Sequence, residues 1–165
     1  MNATARNAAE GVRWVLFGLD SHRYALPLQD VERIVRAVFV TSLPLAPKVV
    51  LGAIDVAGQV LPVFNLRQRF ALPERPLALE DQLLIARTAR RRVVLAIDRA
   101  LGIIEEPAMT PTDLGGFTPN LAHIRGVISR PDGLVLIHDL ERFLSPDETG
   151  TLDTALRMEE DRRAR

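Results

Sequence analysis

Residues 52–70, GAIDVAGQVLPVFNLRQRF, come back in altered form 74 positions further along the chain. Gly52 falls on Gly126, Ile54 on Ile128, Leu61 and Val63 on Val135 and Ile137, and the pair Asn65-Leu66 on Asp139-Leu140. A weaker echo precedes each copy. Residues 14–28 and 83–97 both read as two apolar runs around a short polar turn. One β-unit is therefore used twice. Two half-alike units suggest a paired-barrel scaffold rather than an enzyme built around one cleft.

Composition narrows the class. A chain of 165 residues suits one domain or two very small fused ones. It can bury roughly 70% of its unfolded surface. Hydrophobic residues make up 47% of it, enough to keep the body folded. Basic and acidic residues balance at 21 each, which provides no electrostatic footprint for nucleic acid or an anionic membrane. Cysteine is absent, so disulfides and thiolate chemistry are excluded, in keeping with a reducing compartment. No run approaches the ~20 apolar residues of a membrane helix. The opening MNATARNAAEGVR has no apolar signal core. The expectation is a cytoplasmic protein without direct membrane insertion.

The local pattern is strand and turn. Residues 1–11 read as a flexible lead-in. The apolar runs 14–19 and 24–28, around Asp20-Ser21-His22, predict a hairpin. Val31, Ile34 and Val35 fit either a helical turn or a strand, since they are β-branched. Pro44 and Pro47 predict a turn. A second hairpin turns at Ala57-Gly58, where glycine supplies a positive φ. Residues 71–80 hold two prolines and read as an exposed connector. Runs at 83–86, 93–97 and 101–104 predict further strands, and 107–120 a loop. Arg130-Pro131-Asp132-Gly133 between two apolar runs predicts another hairpin. Short strands at this frequency mean an all-β barrel or sandwich. The tail differs. Ser145-Pro146-Asp147-Glu148 has the form of a capping box, and Leu152, Ala155 and Leu156 follow at helical spacing. A short C-terminal helix is expected, packing weakly because Gly150 interrupts it.

No catalytic constellation emerges. His22, His123 and His138 lack metal-ligand spacing. His138 and Asp139 would point to opposite faces of a strand, and His138 reads as a partly buried strand-end histidine. None of the serines at turns sits in a nucleophile elbow. Glu105-Glu106 reads as a solvated strand end rather than an acid–base pair. Arg90-Arg91-Arg92 reads as a solvated turn, with no aromatic neighbour for base stacking. Trp14 reads as a packing residue. No cofactor and no metal is implied. What remains is surface suited to protein partners.

The residues then point to a family. Phe17-Gly18-Leu19, Tyr24-Ala25-Leu26-Pro27-Leu28, Val31-Glu32-Arg33-Ile34-Val35-Arg36, Leu43-Pro44, Ala46-Pro47, Gly52-Ala53-Ile54, Gly58-Gln59-Val60-Leu61-Pro62-Val63, Asn65-Leu66-Arg67 and the closing Gly126-Val127-Ile128 come in an order that resembles the CheW family. These are adaptors that couple chemoreceptors to the CheA-type histidine kinase of bacterial chemotaxis. The likeness covers residues 12–146. It implies two small five-stranded β-barrels packed over a shared apolar core, and the helical tail at 147–165 lies beyond it. It implies no catalysis. The implied partners are the cytoplasmic tip of a chemoreceptor and the regulatory domain of the kinase, engaged by a protein that is a monomer in dilute solution. The family's receptor face maps onto Val31, Arg33 and Ile34, and onto Gly52, Asp55, Val56, Ala57 and Gly58. Two positions depart from the pattern. The usual glutamate falls on Arg33 and the usual arginine on Ala57. Losing an interface arginine can cost a few kcal/mol, so either the receptor differs or that contact is weakened. A secondary or non-motility pathway would fit such a change. The competing reading is a ligand-binding protein or enzyme whose site lies in the 107–123 loop, near Asp113, Asn120 and His123.

Overall fold

The computed structural model describes residues 12–106 and 123–165. The expected lead-in at 1–11 and the loop at 107–120 lie outside the described residues. β1 (Arg13–Leu19) and β2 (His22–Pro27) form the first hairpin, and β3 (Val31–Arg36) follows. β4 (Val50–Val56) and β5 (Gln59–Phe64) form the second, closed by a helical turn, α1 (Leu66–Arg69). Next come β6 (Gln82–Arg87), β7 (Arg92–Ile97) and β8 (Arg99–Glu105), then the hairpin of β9 (Ile124–Arg130) and β10 (Gly133–His138), and helix α2 (Pro146–Arg163). The stretch that fitted helix or strand is a strand, β3, held by antiparallel pairing to β6.

The strands make two five-stranded sheets, ordered β8-β1-β2-β10-β9 and β3-β6-β7-β5-β4. The sequence repeat is structural. β9 and β10 begin and end 74 residues after β4 and β5, and both hairpins break register at the same place, Val50/Gly52 pairing Phe64/Val63 and Ile124/Gly126 pairing His138/Ile137. The weaker echo is β1–β2 against β6–β7. Each sheet joins its two hairpins through one parallel pair, Ala25 against Ile137 and Val94 against Val63. The halves are exchanged. One sheet takes β1 and β2 from the first half and β8, β9 and β10 from the second, while the other takes β6 and β7 from the second half and β3, β4 and β5 from the first. Neither half contains a complete sheet.

The implied pair of barrels is present as two curled sheets, and ladder pairing leaves both open. In the β3–β4 sheet the gap between the edges is spanned by one bridge, Thr41 to Ala53, with N–H···O distances of 3.0 and 2.8 Å. Alternation along the strands explains the rest. Trp14 and Leu16 point into a cluster with Ala25, Ile128, Val135 and Ile137 inside their own sheet. Leu83, Ile85 and Val94 do the same with Ile54, Val56, Leu61 and Val63. The intervening residues, Val15, Phe17, Leu84, Ala86, Val93 and Leu95, face the opposite way into a larger core shared by both sheets. Strands buried on both faces read as continuous apolar runs, as these do.

α2 packs more tightly than its sequence suggests. Ser145 accepts from the Glu148 N–H at 3.1 Å while the Glu148 carboxylate accepts from the Ser145 N–H at 2.9 Å, completing the expected capping box. Leu152, Ala155 and Leu156 enter the shared core, so the expectation of a weakly packed helix is overturned. Burying two leucines outweighs the ~1 kcal/mol that Gly150 costs a helix. The connector at 71–80 is also tied down. Arg67, nearly buried, donates to Asp98 (2.5 Å), Asp20 (2.9 Å) and the Pro73 carbonyl (3.1 Å). Arg75 pairs with Asp81 (2.7 Å) and Asp98 (2.8 Å), and Arg75 holds the Asp81 carboxyl below the usual range.

Candidate partner-binding face

β3 and the β4–β5 hairpin, the two segments that carry the expected contact residues, lie on opposite edges of one sheet in hydrogen-bonding order. Arg92, the first residue of β7 between them, joins them. It grips the Glu32 carboxylate of β3 at 2.8 and 2.9 Å and donates to Gln59 of β5 at 2.8 Å. Arg87 adds a further bond to Glu32 at 3.0 Å. These two arginines hold the Glu32 carboxyl below its ordinary pKa. β3 breaks register with β6 between Val31 and Arg33, and Glu32 at the break is exposed and held by the two arginines. Arg33 stays exposed, and Val31 and Ile34 are half-buried on the shared core.

The hairpin tip is built by its turn. Ala57 has φ 52° and Gly58 φ 86°, the left-handed pair of a type I′ turn. The Asp55 carboxylate accepts from the Gly58 N–H at 2.8 Å and from Arg163 at 2.6 Å, and these bonds lower its pKa. Ala57 and Gly58 are exposed and Val56 is buried in the sheet's own cluster. Gly52 is buried under the Thr41 bridge, where an added Cβ would sit 2.2 Å from the Thr41 oxygen. Beside β3 the chain runs into an apolar hollow lined by Val38, Phe39, Leu77 and Leu79, in which Phe39 and Leu79 are 88% and 84% exposed.

Several other expectations can be placed. The Arg90-Arg91-Arg92 turn is not free: Arg90 and Arg91 pair with Asp153 on α2, and Arg92 with Glu32. Glu105 and Glu106 pair separately, with Arg13 and Arg130. Trp14 is buried and donates to the Glu106 carbonyl at 2.8 Å. His138 is wholly buried rather than partly. It lies edge-on between Phe70 and Phe143, with neither ring nitrogen bonded, and burial pushes its pKa down to about 3. Of the alternative loop site, Asp113 and Asn120 lie outside the described residues, and His123 is held by the Arg142 carbonyl at 3.0 Å. Among the described residues no three metal-ligating side chains cluster, and no helix is long and apolar enough to cross a membrane. Sequence reasoning missed Arg92 and Arg163 as parts of this face. Arg163 carries no local signal, because it reaches Asp55 from 108 residues away.

Comparison with known proteins bears on the family and the fold. A family model described as the CheW-like domain matches residues 13–148. The chain is 25% identical over 150 residues to the chemotaxis protein CheW of Treponema pallidum, covering 84% of this chain and 85% of that one. It is 27% identical over 128 residues to the protein FrzA of Myxococcus xanthus, covering 76% and 79%. Its fold is similar to the crystal structure of the scaffolding protein TtCheW from Thermoanaerobacter tengcongensis, with a TM-score of 0.75 and 22% identity over 84% of this chain and 95% of that one. With the repeat, the paired sheets and a family model spanning all ten strands, the chain belongs to the CheW-like domain family.

Proposed function

We propose that this protein is a non-catalytic adaptor that couples chemoreceptors to a CheA-type histidine kinase. It would act in the cytoplasm, recruited to membrane receptor arrays through its partners. The observation that carries the reading is the exposed end of the β3–β4 sheet, where Arg92 ties the start of β3, with its half-buried Val31, to the β4–β5 hairpin. An apolar centre with a polar rim suits a reversible protein contact of modest area. Val31, Arg33 and Ile34, with Gly52, Asp55, Val56, Ala57 and Gly58, form the proposed receptor face. Gly52 serves it indirectly, by letting the sheet close beneath the hairpin. Arg33 and Ala57 adapt the face to a receptor of a secondary or non-motility pathway. The protein is a monomer in dilute solution.

The test is a calorimetric titration against the regulatory domain of the genome-neighbouring histidine kinase at moderate salt. Micromolar binding without ligand or metal is expected. A folded protein that binds no cognate kinase would sink the adaptor reading. Ala57→Arg is expected to tighten binding to an ordinary chemoreceptor tip about tenfold, through a charge-assisted bond. An unchanged or weaker interaction would mean the face is rebuilt for another partner.

A further inference from the structure

We propose that the last turn of α2 belongs to the partner-binding face, where Arg163 presents its guanidinium to an acidic side chain of the docked receptor segment. This rests on the reading that the β4–β5 tip meets a receptor. The turn at that tip offers Ala57 and Gly58, and neither carries a side-chain donor. Arg163 provides one from elsewhere. Its Nη2 lies 2.6 Å from one Asp55 oxygen, while the other oxygen accepts from the Gly58 N–H at 2.8 Å. The guanidinium is thereby fixed beside the turn.

Its capacity is largely unspent. Of the five N–H donors on an arginine, one bond, to Asp55, is made among the described residues. The Arg163 side chain is 41% exposed, so the remaining fork is open to a carboxylate. Arg162 differs: both its bonds close back on Glu159, at 2.6 and 3.0 Å. Together with residues 41–42 and Ala53, the end of α2 lines a groove of about 200 Å³ that continues the hairpin surface.

The element is rigid enough to aim a side chain. α2 has 18 residues, about 27 Å of helix. Near its start Glu148 takes two bonds from Arg69 of α1, at 2.6 and 2.7 Å. In its middle Asp153 pairs with Arg90 and Arg91 of the β6–β7 turn, and Leu152 and Leu156 are sunk in the core. The helix thus reaches three separate turns of the β3–β4 sheet and its flank, and the third is the candidate tip. An arginine so held loses little freedom on binding.

The experiment is a calorimetric titration of the full chain with a purified cytoplasmic tip fragment of the cognate chemoreceptor, at low and moderate salt. Wild type, Arg163→Ala, Arg163→Lys and Arg157→Ala are compared, the last removing an exposed charge from the same helix. Arg163→Ala is expected to bind about tenfold more weakly, with a shallower salt dependence and an unchanged melting temperature. Arg163→Lys should recover part of the loss, and Arg157→Ala should match wild type. Equal affinity of Arg163→Ala and wild type, an equal loss in Arg157→Ala, or tighter binding by Arg163→Ala would each overturn the proposal and leave the docking reading intact. A folded wild type that ignores the tip fragment would overturn that reading, and the proposal with it.

Discussion

His138 and Arg67 are both polar residues taken out of water, and they have opposite solutions. Arg67 is matched by two carboxylates and a carbonyl. Removing it leaves Asp98, whose side chain is only 16% exposed, with Arg75 as its remaining charged partner. Arg67→Ala is expected to cost about 2 kcal/mol in urea unfolding, through the charge-assisted bonds it removes. His138 is matched by nothing polar and stays neutral between two phenylalanine rings. The unfolded chain takes up a proton near its ordinary value of 6.5, while the folded chain resists until about 3. Stability is therefore full above the unfolded value and falls as the pH drops below it, by about 1.4 kcal/mol per pH unit at the steepest. Between pH 7 and pH 5 a loss of about 2 kcal/mol is expected, before carboxylates such as Asp81 begin to add theirs. In His138→Leu that slope should largely vanish. The same pH dependence in both proteins would show that His138 is not its source. From the sequence, His138 read as partly buried. Its full enclosure depends on Phe70 and Phe143, which reach it from different segments.

The β4–β5 hairpin shows what a single element can and cannot reveal. Its turn was readable, since Gly58 at a positive φ follows from an apolar–turn–apolar pattern. The burial of Gly52 was not. That glycine sits on the face expected to meet a partner, yet its own contact is with the Thr41 backbone. Gly52→Ala is expected to destabilise the protein by about 3 kcal/mol, because backbone at 2.2 Å must move away. A thermal melt of the variant checks this, and a wild-type melting temperature would return Gly52 to the list of direct contacts. β3 and α2 mark the limit in another way. Val31, Ile34 and Val35 fit two periods equally well, and pairing with β6 decided for the strand. Gly150 argued for a frayed helix, and the burial of Leu152, Ala155 and Leu156 decided against it.

At the scale of the whole molecule, the exchanged halves have a consequence. A fragment of residues 12–75 holds all the strands of the first unit, but the sheet formed by β3, β4 and β5 lacks β6 and β7 at its centre. It would expose both the shared core and the sheet's own cluster. Such a fragment is expected to be unfolded by circular dichroism and to show no cooperative melt. A cooperative transition in it would mean that each half folds alone and the exchange is secondary.

The sequence by itself determined the local and the periodic features of this protein. These are the hairpins, the left-handed glycine, the capping box, the 74-residue repeat and the chain-long likeness to one family. Each is set by residues close in the chain or by a motif that keeps its spacing. The tertiary structure alone decided which half lends strands to which sheet, and that Arg92 and Arg163 reach the same end of one sheet. Those contacts span tens of residues, and a local pattern states only that a face is apolar or charged. Which face packs against which is settled when the central strands must bury both faces at once.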